Sequence, residues 1–123
     1  MQDILIDHAD GVLTLTLNRL EKKNSFTQAM YTDMADALAG AATDASTRVV
    51  VIQGHITVFS AGNDLRDFLS GPAVTATSDA PVQRFIAELA QFPKPLLAAV
   101  CGPAVGIGTT MLFHCDLVYA GDN

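Results

Sequence analysis

The sequence predicts an α/β fold in which strands alternate with helices. Two apolar runs, Val49-Val50-Val51-Ile52 and Leu96-Leu97-Ala98-Ala99-Val100, lead into glycine-containing turns, as buried strands of a parallel sheet do. Val12-Leu13-Thr14-Leu15-Thr16-Leu17 alternates at period two, the mark of a strand with one buried face. Met30, Met34 and Leu38 recur every four residues, the spacing of one face of a helix.

Taken in order, Ile4-Leu5-Ile6 and the Val12–Leu17 run form a hairpin turned at Gly11. Ser25 and Gln28 have capping-box spacing, and a helix is expected from about Thr27 to Ala42. Val49 to Gln53 is continuous and apolar, as in a strand covered on both faces by helices. Gly71-Pro72-Ala73-Val74-Thr75-Ala76-Thr77-Ser78 reads as a flexible polar loop. Val82, Phe85, Ile86 and Leu89 are the apolar stripe of a helix starting near Pro81, and Asp116–Ala120 is a last short strand. These are β-α-β crossovers, expected to be right-handed. No repeat and no charged linker divides the chain.

Composition narrows the function. A chain of 123 residues, 50% apolar, suffices for one domain and is too short for two ordinary ones. Its formal charge of -6, from 13 acidic and 7 basic residues, argues against a nucleic-acid or anionic-membrane binder. From Pro95 to Cys115 there is no Asp, Glu, Lys or Arg, but Pro103 and three glycines interrupt any membrane helix; a strand, a turn and a short buried helix account for the same apolarity. Cys101 and Cys115 are expected to be buried free thiols, and His8, His55 and His114 show no metal-ligand spacing. The first residues, Met1-Gln2-Asp3-Ile4, lack the regions of a signal peptide, so the cytoplasm is the expected compartment.

The two turns carry the chemistry. Ser60-Ala61-Gly62-Asn63-Asp64-Leu65 follows the first apolar strand, and Gly102-Pro103-Ala104-Val105-Gly106-Ile107-Gly108 follows the second. Turns of this kind expose backbone N–H groups, and two on neighbouring strands can aim donors at one point, where a carbonyl oxygen gains negative charge. A helix starting near Gly106 would add its positive end. Ser60-Ala61-Gly62 lacks the first glycine of a nucleophile elbow, which weakens a serine-hydrolase reading.

Phe59-Ser60-Ala61-Gly62-Asn63-Asp64-Leu65 and the segment from Lys94 to Gly108, followed by Cys115-Asp116-Leu117, resemble the two signature segments of the crotonase (enoyl-CoA hydratase/isomerase) superfamily. Asn18 to Ser25 is similar to the loop after that family's opening hairpin, so the resemblance covers essentially the whole chain. It implies a spiral of β-β-α units, of which residues 1–123 would be the N-terminal part of a single domain. It also implies acyl-CoA thioester substrates, no cofactor beyond the coenzyme A that the substrate carries, and trimers or dimers of trimers. Carried across by position, the oxyanion-binding N–H groups are those of Asn63 and Ile107. Ala61, Asp64, Leu65, Gly106 and Thr110 would lie along the substrate. Asp64 has a second reading as the cap of a helix beginning at Leu65. The basic group Arg19, Lys22 and Lys23 either meets the phosphates of coenzyme A or is a solvated loop.

The departures are informative. Where hydratases of that family carry a glutamate, two residues beyond Gly108, this chain has Thr110, which cannot act as a general base near neutral pH. The only glutamates are Glu21 and Glu88, and neither lies in a signature segment. The expectation is therefore a piece of a longer protein, inactive alone, whose general base follows Asn123. Family isomerases that use one later glutamate tolerate this loss, which favours a 3,2-enoyl-CoA isomerase. A 2-enoyl-CoA hydratase and a noncatalytic acyl-CoA binding subunit remain as alternatives.

Overall fold

A computed structural model describes residues 2–70 and 80–122. The segment Gly71–Ser78, read above as a loop, lies outside the described residues. Strands β1 (Ile4–Ala9) and β2 (Val12–Leu17) form the expected antiparallel hairpin. Its two-residue turn, Asp10-Gly11, is left-handed at both positions (φ 54° and 82°), the geometry that fits the twist of the strands. Strands β3 (Val49–Gln53), β4 (Leu96–Val100) and β5 (Leu117–Ala120) then add in parallel, giving one sheet in chain order. Helix α1 (Gln28–Thr43) connects β2 to β3, α2 (Leu65–Ser70) and α3 (Pro81–Ala90) lie between β3 and β4, and the short α4 (Ile107–Thr110) follows β4.

Register puts Leu13, Leu15 and Leu17 beside Val50 and Ile52, and these beside Leu96 and Ala98, on one face. That face meets Met30, Tyr31, Met34 and Leu38 of α1 and Phe85 and Leu89 of α3 to form the core. The other face of β3 differs from expectation. Val49, Val51 and Gln53 are half-buried, because the core helices among the described residues sit on one side of the sheet, and Gln53 Nε2 donates to Thr16 Oγ1 at 2.9 Å. At the far edge Leu117, Val118 and Tyr119 are exposed.

The cap of α1 also corrects the sequence reading. Thr27, not Ser25, is the cap: Thr27 Oγ1 accepts the Met30 N–H (3.1 Å), whereas the Gln28 N–H that a Ser25 cap would take donates to Asp67 Oδ2 at 2.7 Å, and Ser25 accepts from Arg19 Nη1 at 3.0 Å. The apolar stretch from Pro95 to Cys115 resolves into β4, a glycine turn, α4 and a 3-10 turn, Met111–His114. Among the described residues no helix is long and apolar enough to cross a membrane. Cys101 and Cys115 are free but only half-buried, and burial followed by the neighbouring Asp116 charge pushes the Cys115 thiol up to about 11.

The C-terminal end of α1 is held by a residue with no local sequence signal. Lys94 Nζ donates to the carbonyls of Ala41 (2.6 Å), Asp44 (2.7 Å) and Thr47 (2.7 Å), using all three ammonium protons on acceptors at and just beyond the helix end. It thereby ties the start of β4 to the α1–β3 connection. Lys94→Met in the full-length protein is expected to cost about 1–2 kcal/mol, read as a lower urea midpoint at unchanged slope. An unchanged midpoint would show that these carbonyls are satisfied equally well by water.

Candidate active site

Segment 59–64 runs between two others and bonds to both. On one side Ala61 N–H donates to Lys23 C=O (3.0 Å), Phe26 N–H to Gly62 C=O (2.7 Å) and Asp64 N–H to Phe26 C=O (2.8 Å). On the other side Phe59 and Ser60 N–H donate to Pro103 C=O, and Val105 N–H donates to Ser60 C=O at 2.9 Å. Ser60 and Ala104 are thus bridged in parallel. Gly62 and Gly106, and then Asn63 and Ile107, stand at the same separation in sequence as that bridged pair. The two turns meet closely. A Cβ built on Gly62 (φ 94°) would lie 2.9 Å from Val105 O, and one built on Gly106 (φ 59°) would lie 3.7 Å from Gly62 Cα.

Each turn fixes the direction of one N–H through the carbonyl of the same peptide. In a trans peptide the C=O and N–H point opposite ways. Gly62 C=O is committed to Phe26, so the Asn63 N–H faces away from that pairing. Gly106 C=O accepts from Thr109 and Thr110 N–H (2.9 Å each) and from Thr110 Oγ1 (3.1 Å), so the Ile107 N–H points back off the start of α4. Among the described residues neither N–H has an acceptor. Two preorganised donors on converging turns suit a developing oxyanion.

The surrounding side chains brace the first turn. The fully buried Tyr31, stacked on Phe26 with ring centroids 4.8 Å apart, donates its hydroxyl to Asn63 Oδ1. Burial holds the Tyr31 phenol well above its ordinary value, so it remains a donor. Asn24, buried and left-handed at φ 55°, accepts from Arg19 N–H at 2.7 Å and donates to Phe59 C=O at 3.2 Å.

Asp64 takes the capping reading. Its Oδ1 accepts Asp67 N–H at 3.0 Å at the start of α2, while Oδ2 pairs with Arg19 Nη1 at 2.7 Å. The Asp67 N–H, and next the Arg19 guanidinium, hold the Asp64 carboxyl below the usual carboxylate range. This changes the picture of the expected basic group: Arg19, its side chain 15% exposed, is engaged through Nη1 with Asp64 and Ser25. Lys22 and Lys23 are exposed.

Lys23 and Ala61 line a groove of about 540 Å³ with Leu20, Thr57, Val58, Pro103 and Val105. Leu65 and Thr110 are exposed outside that lining, the Thr110 hydroxyl directed at Gly106 C=O, and Gly106 is exposed at the junction of the turns. Sequence reasoning missed the parts played by Tyr31, Asn24 and Ser60. An asparagine in a turn able to adopt φ > 0, and a serine two residues before a glycine, are signals that could have found two of them.

A family model described as enoyl-CoA hydratase/isomerase matches residues 7–123. Among curated proteins the chain is 41% identical to the peroxisomal enoyl-CoA delta isomerase 3 of Mus musculus, covering 98% of this chain and 39% of that one. It is 37% identical to the 2,3-dehydroadipyl-CoA hydratase of Escherichia coli K12, covering 100% of this chain and 48% of that one. Among solved structures, OdaA of Pseudomonas aeruginosa superposes with a TM-score of 0.93 at 51% identity, covering 100% of this chain and 49% of that one. The chain thus spans less than half the length of each of these three.

The Asp64 carboxylate should leave a pH signature. Its pKa is lowered on folding, so its charge adds stability above the unfolded value of about 3.9 and loses it as pH falls through the lower folded value. In the full-length protein the difference in urea midpoint between native and Asp64→Asn is expected to be constant above about pH 5 and to close below about pH 4. A difference unchanged down to acid would contradict the pairing.

Proposed function

The chain belongs to the enoyl-CoA hydratase/isomerase family, and on that premise we propose that it supplies the oxyanion-binding part of an acyl-CoA active site. The observation that carries this reading is the pair of N–H groups, Asn63 and Ile107, that have no acceptor among the described residues and lie on two turns packed glycine against glycine. The thioester carbonyl oxygen sits between them. Removal of a proton from C2 of a 3-enoyl thioester moves that bond's electrons toward the carbonyl, and the two donors stabilise the enolate oxygen that forms. Return of a proton at C4 restores the carbonyl and leaves the double bond at C2–C3. Each donor of this kind contributes about 3–4 kcal/mol in other oxyanion holes.

Isomerisation from the 3- to the 2-enoyl thioester is preferred over hydration because Thr110 stands where a hydratase glutamate is expected from the resemblance. Its hydroxyl is directed at Gly106 C=O and has no base strength near neutral pH. This reading needs a general base, which the Thr110 hydroxyl cannot supply. Lys22 and Lys23 are the cations proposed to meet the phosphates of coenzyme A, and Ala61 and Lys23 line the groove proposed for the thioester arm. No cofactor is required beyond the coenzyme A of the substrate, and assembly into trimers belongs to the same reading. Hydration is the second reading, supported by the similarity to the E. coli hydratase.

The full-length protein given a 3-enoyl-CoA is expected to produce the conjugated 2-enoyl-CoA, followed by its ultraviolet absorbance. Thr110→Val should change that rate less than about tenfold, or about 1.4 kcal/mol. Formation of a 3-hydroxyacyl-CoA without isomerisation, abolished by Thr110→Val, would move the assignment to hydration. Binding of acyl-CoA without turnover of either kind would point to a noncatalytic subunit.

A further inference from the structure

We infer that Ser60 is a positioning residue that aims the oxyanion donors, an inference that rests on the oxyanion reading above. Ser60 is fully buried. Its hydroxyl donates to Asn24 C=O at 2.8 Å and accepts Gly62 N–H at 3.1 Å. A hydroxyl has one proton, so donation to Asn24 turns an acceptor lone pair toward Gly62. A serine that bonds the N–H two residues on is by itself an ordinary turn motif. What distinguishes Ser60 is that it also holds the second turn. Its C=O accepts Val105 N–H at 2.9 Å, and a Cβ built on Gly108 would lie 3.0 Å from Ser60 Cβ, so the start of α4 rests directly on it.

The consequence follows from the peptide planes. Gly62 lies between two planes, one held through its N–H by Ser60 Oγ and the other through its C=O by Phe26 N–H. Glycine has the widest backbone freedom of any residue, so both planes need an external anchor if the Asn63 N–H is to keep one direction. Removing Oγ leaves the Gly62 N–H buried without a partner and one plane loose. The loss falls on preorganisation, which acts where charge develops in the transition state, more than on ground-state binding of the thioester.

Full-length native protein, Ser60→Ala and Ser60→Cys are compared by steady-state kinetics on an enoyl-CoA, by thermal unfolding, and by the infrared carbonyl band of a bound, unreactive acyl-CoA. In the native protein binding is expected to lower the carbonyl frequency. In Ser60→Ala the band should move back toward the free value and kcat should fall by about tenfold or more, with KM within about twofold. Ser60→Cys, whose thiol is a weaker acceptor of similar shape, should lie between. Native kcat and a native band in Ser60→Ala would overturn the inference, as would losses in kcat and KM that merely follow loss of folded protein. If Ser60→Ala does not fold, a fully native band and kcat in Ser60→Cys would overturn it. A native protein that shows no carbonyl shift on binding would instead overturn the oxyanion reading on which the inference rests.

Discussion

The double pairing of segment 59–64 is the constraint on which the site depends. One side of this short run bonds to residues 23–26 and the other to residues 103–105. The sheet places the ends of β3 and β4 side by side, which brings the two turns into register. The glycines then permit what side chains would prevent, since a methyl on Gly62 would press on Val105 O. The direction of each N–H is set by where the partner carbonyl of the same peptide is spent, not by any side chain that touches a substrate. In the oxyanion reading proposed above the donors are backbone groups, and the Asn63 side chain is held separately by the Tyr31 hydroxyl.

Electrostatics serve this geometry more than they serve stability. The Arg19–Asp64 pair is mostly withdrawn from water, with side chains 15% and 12% exposed, so the Coulombic gain is opposed by desolvation. Each partner has further bonds, Arg19 to Ser25 and Asp64 to Asp67 N–H, and these tip the balance toward a fixed arrangement. The result is a link between the loop after β2 and the start of α2, immediately after Asn63. Lys94 does similar work elsewhere, tying the end of α1 to β4 through three carbonyls.

The strands, the helices and the two turns were legible because their signals are local: periodicity in β2, apolar runs in β3 and β4, Pro81 at a helix start. What failed depended on distant partners. Arg19 reads as part of a basic loop with Lys22 and Lys23, and only the approach of Asp64, 45 residues away, turns it inward. Ser25 has the spacing of a cap, yet the Gln28 N–H it would take goes to Asp67 and the cap is Thr27. The run Val49–Ile52 is apolar throughout, but which of its faces a helix covers is a property of the whole sheet. At the site, the turns and their glycines were readable, whereas the buried Asn24, Ser60 and Tyr31 that brace them are polar groups whose partners are long-range.

The most direct test of the account is a crystal structure of the full-length protein with an unreactive acyl-CoA thioester. The thioester oxygen is predicted to lie about 3 Å from both the Asn63 and Ile107 nitrogens, with Gly62 C=O still on Phe26 N–H. A thioester oxygen bound elsewhere, or either N–H turned to a protein acceptor in the complex, would contradict it.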